Sequence, residues 1–177
     1  TGGNLTIDGT VDGATTSLTS AGTIGEGTGG VIKATDLTGR SAGSTTLDGA
    51  NMITDLGSFT ASGFSLNNAQ ALAVNGPLTT TGNTGPIDLT TTKGELDVNT
   101  GLTGGAITLD SAGVLPLTQN ISGSTVTLDS GGTIDQTGGI LTAGTLTGRP
   151  AGSTTLDGAN LITDLGSFKA AGFSLTN

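Results

Sequence analysis

Six aspartates stand at similar places in the sequence, and their carboxylates are the first candidates for chemistry. Four follow a leucine and two lie within Ile-Thr-Asp-Leu: Asp48, Asp110, Asp129 and Asp157, then Asp55 and Asp164. Carboxylate oxygens in a repeated pattern could bind Ca²⁺, which takes several carboxylate and carbonyl ligands. Aspartate is equally suited to turns, where its side chain accepts backbone hydrogen bonds. The dense glycine-aspartate nonapeptide of calcium-binding β-rolls is absent, so we expect turn-forming aspartates, no metal site and no cofactor.

Paired carboxylates also suggest cleavage of a glycoside or pectate, which needs two acidic side chains flanking the scissile bond. Here no cluster of aspartates with basic residues stands out. Arg40 and Arg149 occupy equivalent positions of an internal repeat. A residue present in every copy usually serves the architecture, whereas a catalytic site breaks the repeat once. We therefore expect no catalytic residues and no enzymatic activity.

Hydroxyl side chains form a third pattern, because a small polar residue precedes a leucine in several short runs. These residues, expected to face outward, are Ser17, Thr46, Thr108, Thr127 and Thr155. A flat outward ladder of threonines could order water and bind ice. Threonine also favours strands through its β-branched side chain and cross-strand hydrogen bonds, and a regular Thr-x-Thr on every turn is lacking. We favour the structural interpretation.

Composition excludes several classes of site. Cys, His, Trp and Tyr are all absent, which removes thiol nucleophiles, imidazole bases and the usual transition-metal ligands. The net charge of −9 argues against nucleic acid or an anionic membrane surface as a partner. The glycine-rich stretch 23–30 lacks the Gly-Lys-Ser/Thr of a phosphate-binding loop. No apolar run approaches the roughly 20 residues that span a bilayer, and no signal-peptide core stands at the start, so we expect no membrane insertion and any export signal to lie outside this sequence.

An internal repeat dominates the sequence. Residues 37–68 recur as residues 146–177, 109 positions later, with five differences in 32 positions. The differences are Ser41/Pro150, Met52/Leu161, Thr60/Lys169, Ser62/Ala171 and Asn67/Thr176. The weaker match extends to residues 3–68 against 113–177, with one residue inserted in the first copy. We interpret residues 1–177 as one continuous repeat region.

Short alternating runs such as 106–110 and 125–129 predict strands with one buried face. Apolar anchors recur about every 15 to 20 residues, a spacing typical of solenoids, whose turns must stack to bury a core. We expect an all-β, parallel β-helix with coils of about 18–20 residues and about six turns per sequence repeat. Gly-containing pairs are expected to supply positive φ at the corners.

Stacked coils predict inward columns of like side chains. The strongest candidates for an aliphatic column are Leu18, Leu47, Leu109, Leu128 and Leu156. The only aromatic residues, expected to pack inside as the bulkiest filling, are Phe59, Phe64, Phe168 and Phe173.

Four segments carry a resemblance to a known family: residues 105–113, 131–139, 146–149 and 160–168. They resemble the shaft repeats of filamentous haemagglutinin-type large exoproteins, which are two-partner-secreted adhesins. The resemblance implies a right-handed parallel β-helix, secretion across a Gram-negative outer membrane through a barrel partner, and service as a surface fibre. The scarcity of cysteine agrees with an exported shaft that crosses the outer membrane unfolded.

The sequence thus favours a structural role: the shaft of a secreted fibre or filament in adhesion or biofilm matrix. Its partners would be further copies stacked end to end, or a longer chain that continues the solenoid, together with a host-cell or matrix glycan or protein receptor. The alternative is a ligand-binding β-solenoid for calcium, ice or glycan.

Overall fold

A computed structural model describes residues 3–177, which form strands connected by tight corners and one short 3-10 turn, Thr81–Asn83. The strands are β1 Leu5–Ile7, β2 Thr10–Ser20, β3 Ile24–Glu26, β4 Val31–Ser41, β5 Thr45–Ala61, β6 Phe64–Asn68, β7 Leu72–Val74, β8 Leu78–Thr80, β9 Ile87–Thr91, β10 Leu96–Val98, β11 Leu102–Ser111, β12 Leu115–Leu117, β13 Ile121–Ser130, β14 Ile134–Gln136, β15 Leu141–Gly148, β16 Thr154–Leu156, β17 Leu161–Phe168 and β18 Phe173–Leu175.

Every strand pairs in parallel with a strand about one turn away, which confirms the parallel β-helix. One ladder runs the length of the molecule and gives one residue per turn: Leu5, Ile24, Thr45, Phe64, Ile87, Ile107, Val126, Leu146 and Leu165. The turns are nearly equal in length, and the longest, from Phe64 to Ile87, includes the 3-10 turn. Equal turns keep equivalent residues in register, so similar side chains meet from turn to turn.

The middle turns define three sides of the solenoid. Side 1 carries β9 and the second half of β11, side 2 carries β10 and β12, and side 3 carries β8 and the first half of β11. The longer strands bend around corners, and β5 contributes to all three sides through its pairs with β3, β7 and β8.

Inward aliphatic side chains fill the axis of the solenoid. In β11, Ile107 and Leu109 are buried while Thr108 between them lies outward. The outward placement predicted for Ser17, Thr46, Thr108, Thr127 and Thr155 is confirmed, since all five are exposed or half-buried. Each fully buried leucine or isoleucine stabilises the fold by about 1.5–3 kcal/mol relative to an exposed one.

The predicted leucine column is correct for three of its five members. Leu47, Leu109 and Leu128 share one column on side 1, completed by Leu66 and Leu89. Leu18 and Leu156 are buried, but the column prediction is wrong for them. Leu18 pairs with Gly39 on side 3 and Leu156 with Leu175 on side 2.

Serine hydroxyls close several corners in a recurrent Ser-x-Gly arrangement. Ser130 Oγ donates to Gly113 O in the preceding turn at 2.7 Å and accepts from Gly132 N at 3.0 Å. Stacked directly below it, Ser111 Oγ donates to Val114 O at 2.8 Å and accepts from Leu96 N at 3.0 Å. These bonds satisfy backbone groups that leave the strand ladder at the corner.

The prediction that corner glycines supply positive φ holds at few positions. Within residues 3–177, positive φ is confined to Gly29, Gly82, Gly94, Gly139 and Asn83. At other positions glycine is required because the backbone lies too close to a neighbouring turn to leave room for a Cβ atom. A Cβ on Gly39 would lie 2.6 Å from the ring of Phe59 in the next turn, and one on Gly148 would lie 2.7 Å from the ring of Phe168.

Both aromatic residues of the first copy are buried, and Phe168 of the second copy packs against the core while partly exposed. Phe59 and Phe64 are buried, with ring centroids 4.8 Å apart. The equivalent rings of Phe168 and Phe173 keep the same contact at 4.7 Å. Phe168 is only half-buried and Phe173 is 42% exposed, so the inward prediction is wrong for Phe173. Ile87 of the following turn covers Phe64, and no turn within residues 3–177 covers Phe173 in the same way.

The sequence repeat is not a whole number of turns, which corrects the expectation of six turns per repeat. Five turns of the side 1 ladder lead from Thr45 to Leu146. The equivalent of Thr45 in the second copy is Thr154, which lies less than half a turn beyond Leu146. Because the repeat contains five whole turns and part of a sixth, each residue of the second copy lies one side further around the axis than its equivalent in the first copy. Thr45 lies on side 1 and Thr154 on side 2, while Phe59 lies on side 3 and Phe168 on side 1.

Candidate functional site

Buried carboxamides form the most elaborate polar cluster, and sequence reasoning missed it. Asn51 and Asn68 are fully buried and adjacent in register, at the corner that leads from side 1 to side 2. Asn160 is the buried equivalent of Asn51 in the second copy, and Asn177 is the equivalent of Asn68. The two pairs have the same spacing in the sequence, and this recurrence was the signal that could have identified them.

Asn51 saturates its amide within the corner. Its Oδ1 accepts from Ile32 N at 2.7 Å, and its Nδ2 donates to backbone carbonyls of its own turn and the next one. The carbonyl acceptors, each at 3.2 Å, are Leu47 O, Gly49 O and Asn67 O. The amide therefore joins three successive turns. A buried polar group with all its partners specifies one register, whereas the same group without them would cost stability.

A longer polar side chain completes each cluster, and here the copies differ. In the first copy Glu26 Oε2 accepts from Gly49 N at 2.6 Å and from Asn51 Nδ2 at 3.2 Å. In the second copy Gln136 Oε1 accepts from Gly158 N at 3.1 Å and from Asn160 Nδ2 at 2.9 Å.

The remaining atom of the longer side chain distinguishes the two clusters. Gln136 Nε2 donates to Asn160 Oδ1 at 2.8 Å and to Gly139 O at 3.1 Å. Glu26 Oε1 is buried and has no hydrogen-bond donor among residues 3–177. A carboxylate cannot donate where an amide can, so the first cluster is the less complete one.

The predicted aspartates act mainly between turns. Asp157 Oδ1 accepts from Ser174 Oγ at 2.9 Å, and Asp48 repeats the bond to Ser65 at 3.4 Å. Asp129 Oδ1 accepts from the backbone N–H of Arg149 at 2.6 Å. Asp55 Oδ1 accepts from Asn75 Nδ2 at 2.6 Å. The bonds agree with a structural use of aspartate, although the partner lies one turn away and not in the same corner.

Asp110 and Asp129 stack directly on the outside of side 1. Burial raises the pKa of the Asp110 carboxyl above its ordinary value, and the neighbouring charge of Asp129 raises this pKa further. Two stacked carboxylates repel each other when both are ionised. Among residues 3–177, no group of three or more Asp or Glu side chains is arranged to hold a metal ion.

The outward threonines form only a short ladder. Thr108, Thr127 and Thr147 stack on side 1, and the hydroxyls of the last two are 3.0 Å apart. The turn below places Asp88 in the same column, and the one before it places Ser65.

The two equivalent arginines lie in shallow grooves on different sides. Arg40 and Thr60 line a groove on side 3. Arg149 and Lys169 line the corresponding groove at side 1. The exchange of Thr60 for Lys169 therefore places two of the five cationic side chains of a chain with net charge −9 in one groove. All four of these side chains are exposed.

No helix within residues 3–177 has the length and apolar character needed to cross a membrane. No family model, curated protein or solved structure matches the chain.

Proposed function

We propose that this chain is a structural shaft segment of a secreted bacterial surface fibre or filament that serves adhesion or biofilm matrix, without catalysis. The observation that carries the proposal is the uniformity of the solenoid. Turns of similar size repeat the same inward columns and the same corner bonds. Its polar clusters are occupied in holding turns together, as Asn51 and Asn160 do.

The duplication supports the same role. A copied block of several turns extends a stack without new packing, because each turn meets its neighbour through the same columns. Since the second copy is advanced by one side, equivalent outer residues such as Arg40 and Arg149 face different directions. This arrangement suits a fibre that is approached from any direction.

The resemblance to haemagglutinin-type shafts supports export. We propose a location on the surface of a Gram-negative bacterium or in its surroundings, reached through an outer-membrane barrel partner, with a host-cell or matrix glycan or protein as receptor. The absence of cysteine agrees with passage of an unfolded chain. End-to-end stacking of copies, or continuation within a longer chain, would give the fibre its length.

Length is the testable product of this function. Cells would display the chain between a membrane anchor and a small adhesive tip, with zero, one or two additional copies of residues 69–177. Each added copy contributes about five turns, or about 25 Å at roughly 4.8 Å per turn. We expect the distance between the cell surface and the tip to grow with copy number. The measurement is the gap between displaying cells and captured beads that carry the ligand of the tip. A reach that does not change would overturn the shaft proposal.

Glycan binding is the second candidate, favoured by the paired cations of Arg149 and Lys169. The groove is shallow and open, and the chain as a whole is acidic, so only a weak, salt-sensitive contact with an acidic glycan is expected. The first copy offers a matched control, since Thr60 replaces the lysine there. Lys169→Thr should weaken retention on a sulfated glycan several-fold, and Lys93→Thr should not. Equal retention of both variants would exclude this groove as the binding site.

A further inference from the structure

Side 1 carries a column of charged side chains on four successive turns: Asp110, Asp129, Arg149 and Lys169. Asp110 and Asp129 stack directly. The backbone N–H of Arg149 donates to Asp129 Oδ1 at 2.6 Å, which places these two residues on neighbouring turns. Arg149 and Lys169 follow the paired residues Gly148 and Phe168 and line one groove. Two anions are therefore followed by two cations, one per turn, at a spacing of about 4.8 Å.

This charged column lies on the lateral surface of the shaft. Arg149 and Lys169 are exposed, and Asp110 and Asp129 are half-buried. The exposure of Lys169 does not depend on its place in the last described turn. Its equivalent Thr60 is exposed too, although Thr79 of the following turn stacks on it.

Small hydroxyl side chains lie beside the charged column. Thr127, Thr147 and Ser167 line a shallow groove together with Asp129 and Arg149. Because these hydroxyl side chains are short, side 1 is flat enough for a second flat sheet to pack against it at about 10 Å, the usual spacing of packed sheets.

The order of the charges is complementary to its own reverse. A two-fold rotation about the strand direction lays a second chain against side 1 with its solenoid axis antiparallel. Asp110 then faces Lys169 of the second chain, and Asp129 faces Arg149 of the second chain. The symmetry repeats both pairs, as in any two-fold interface. A parallel arrangement with the same columns in contact would place like charges opposite each other.

We propose that side 1, between residues 107 and 169, is a surface for lateral, antiparallel pairing with a second copy of this chain. The inference goes beyond the proposed function, because it assigns a partner to one side of the shaft and does not concern its length. Within one chain Asp110 stacks on another carboxylate. In the pair each carboxylate would gain a cation, and like-charge contact disfavours other alignments.

The area of the surface indicates a weak contact. Four turns of about 4.8 Å and a side of about five residues at about 3.3 Å give an area on the order of 300 Å² per partner. The total is below that of standard specific interfaces. Reversible association is therefore expected, and covalent trapping is the suitable measurement.

Crosslinking between two single-cysteine variants tests the alignment, because the chain has no cysteine of its own. Antiparallel pairing places position 108 opposite position 167 of the second chain, and keeps two copies of position 108 about three turns, or roughly 14 Å, apart. We expect a short bismaleimide to join Thr108→Cys to Ser167→Cys in an equimolar mixture several-fold more than it joins either variant to itself. Circular dichroism checks that each variant is folded.

Charge reversal tests the cause of the alignment. Arg149→Asp with Lys169→Asp, made in the Thr108→Cys chain, gives an anionic column. Asp110→Lys with Asp129→Arg, made in the Ser167→Cys chain, gives a cationic column. Each should lose its crosslink to the unreversed partner variant, and a mixture of the two reversed chains should regain it. Both reversed chains remain net acidic, since each reversal changes the charge of −9 by four, so attraction between whole chains cannot cause the recovery.

A matched control reverses the same number of charges elsewhere. Lys33 and Arg40 are exposed on β4, which pairs with the parts of β5 that lie on sides 2 and 3. Lys33→Asp with Arg40→Asp gives the same net charge as the anionic column. In the Thr108→Cys chain this control should crosslink to Ser167→Cys as strongly as the unreversed chain does.

Several results would overturn the lateral surface. These are equal crosslinking of like and unlike cysteine variants, no recovery on mixing the two reversed chains, or an equal loss in the Lys33 and Arg40 control. Crosslinking that requires an added sulfated glycan would also overturn it, since the groove would then bind the glycan and not a second chain. None of these results affects the dependence of the distance between cell surface and tip on copy number.

Discussion

At the residue scale, the buried amides hold the corners in register. Asn51→Ala would leave Ile32 N without its acceptor and remove a donor from three carbonyls. We expect a loss of about 2–4 kcal/mol in the free energy of unfolding, with faster hydrogen exchange at the Ile32 amide. Asn75→Ala is the control, since the side chain of exposed Asn75 bonds only to other side chains and its loss should change stability by less than about 0.5 kcal/mol. Equal effects of the two variants would contradict the role of the buried amide.

The two copies supply a second residue-scale test at Glu26 and Gln136. Gln136→Glu would replace the donor that serves Asn160 Oδ1 and Gly139 O with an acceptor. We expect a destabilisation of about 1–3 kcal/mol in urea unfolding. The reciprocal change Glu26→Gln introduces a donor at the incomplete cluster and should not destabilise the protein. A harmless Gln136→Glu would show that the Nε2 bonds contribute nothing.

The stacked carboxylates predict a pH dependence. Because the pKa of Asp110 is raised in the folded state above its unfolded value near 3.8, the folded state binds the proton more tightly. Its contribution to stability is therefore present at low pH and is lost as the pH rises through the interval from 3.8 to the raised folded value. Asp110→Asn should stabilise the protein at pH 7 in thermal unfolding, by less than about 1 kcal/mol because the group is largely solvated. The gain should disappear below pH 3.8; a gain independent of pH would exclude this mechanism.

At the scale of the strand and the turn, alternation and duplication allowed most of the fold to be predicted. The run around Ile107, Thr108 and Leu109 predicts a strand with one buried face, and the structure has one there. Membership of columns could not be predicted in the same way. Leu156 looks like another Leu47 in sequence, yet it lies on side 2 because the repeat is not a whole number of turns. The approximate spacing of apolar residues does not give the exact length of each turn, so it does not show on which side a residue of the second copy lies.

The candidate sites were less predictable than the strands, for a physical reason. Sequence singles out charged residues such as Asp110, but a neutral asparagine gives no sign of burial until its turn is stacked on others. Asn51 is buried only because Asn68 and the corner of the preceding turn enclose it. Comparison of the two copies could have identified it, since Asn160 and Asn177 recur at the same spacing.

At the scale of the turn, a side chain is buried when the next turn covers it. The two equivalent phenylalanines of the sequence repeat test this cause of burial. Phe64 and Phe173 are equivalent in sequence, but only Phe64 is covered. Phe64→Ala should destabilise the protein by about 3–5 kcal/mol, and Phe173→Ala by much less. Urea unfolding of the two variants gives the comparison. Similar losses would indicate that position in the stack does not set burial.

At the scale of the whole molecule, the solenoid has two periods, the length of the sequence repeat and the length of one turn. The length of the sequence repeat is not a multiple of the length of a turn, so each copy begins one side further around the axis. A nearly identical segment is therefore presented in two directions, as Arg40 and Arg149 are. The function proposed above accordingly depends on the length and the surface of the solenoid and not on a pocket.

The central claim is that residues one turn apart in the sequence stack directly in parallel strands. Spin labels on the variant Thr108→Cys with Thr127→Cys test it most directly, because the chain has no other cysteine. Stacking places these labels on neighbouring strands about 4.8 Å apart, so strong broadening of the electron paramagnetic resonance spectrum is expected. Labels at Thr108 and Thr118 are closer in sequence but lie on different sides, and should broaden the spectrum less. A stronger interaction between 108 and 118 than between 108 and 127 would contradict the stacked solenoid.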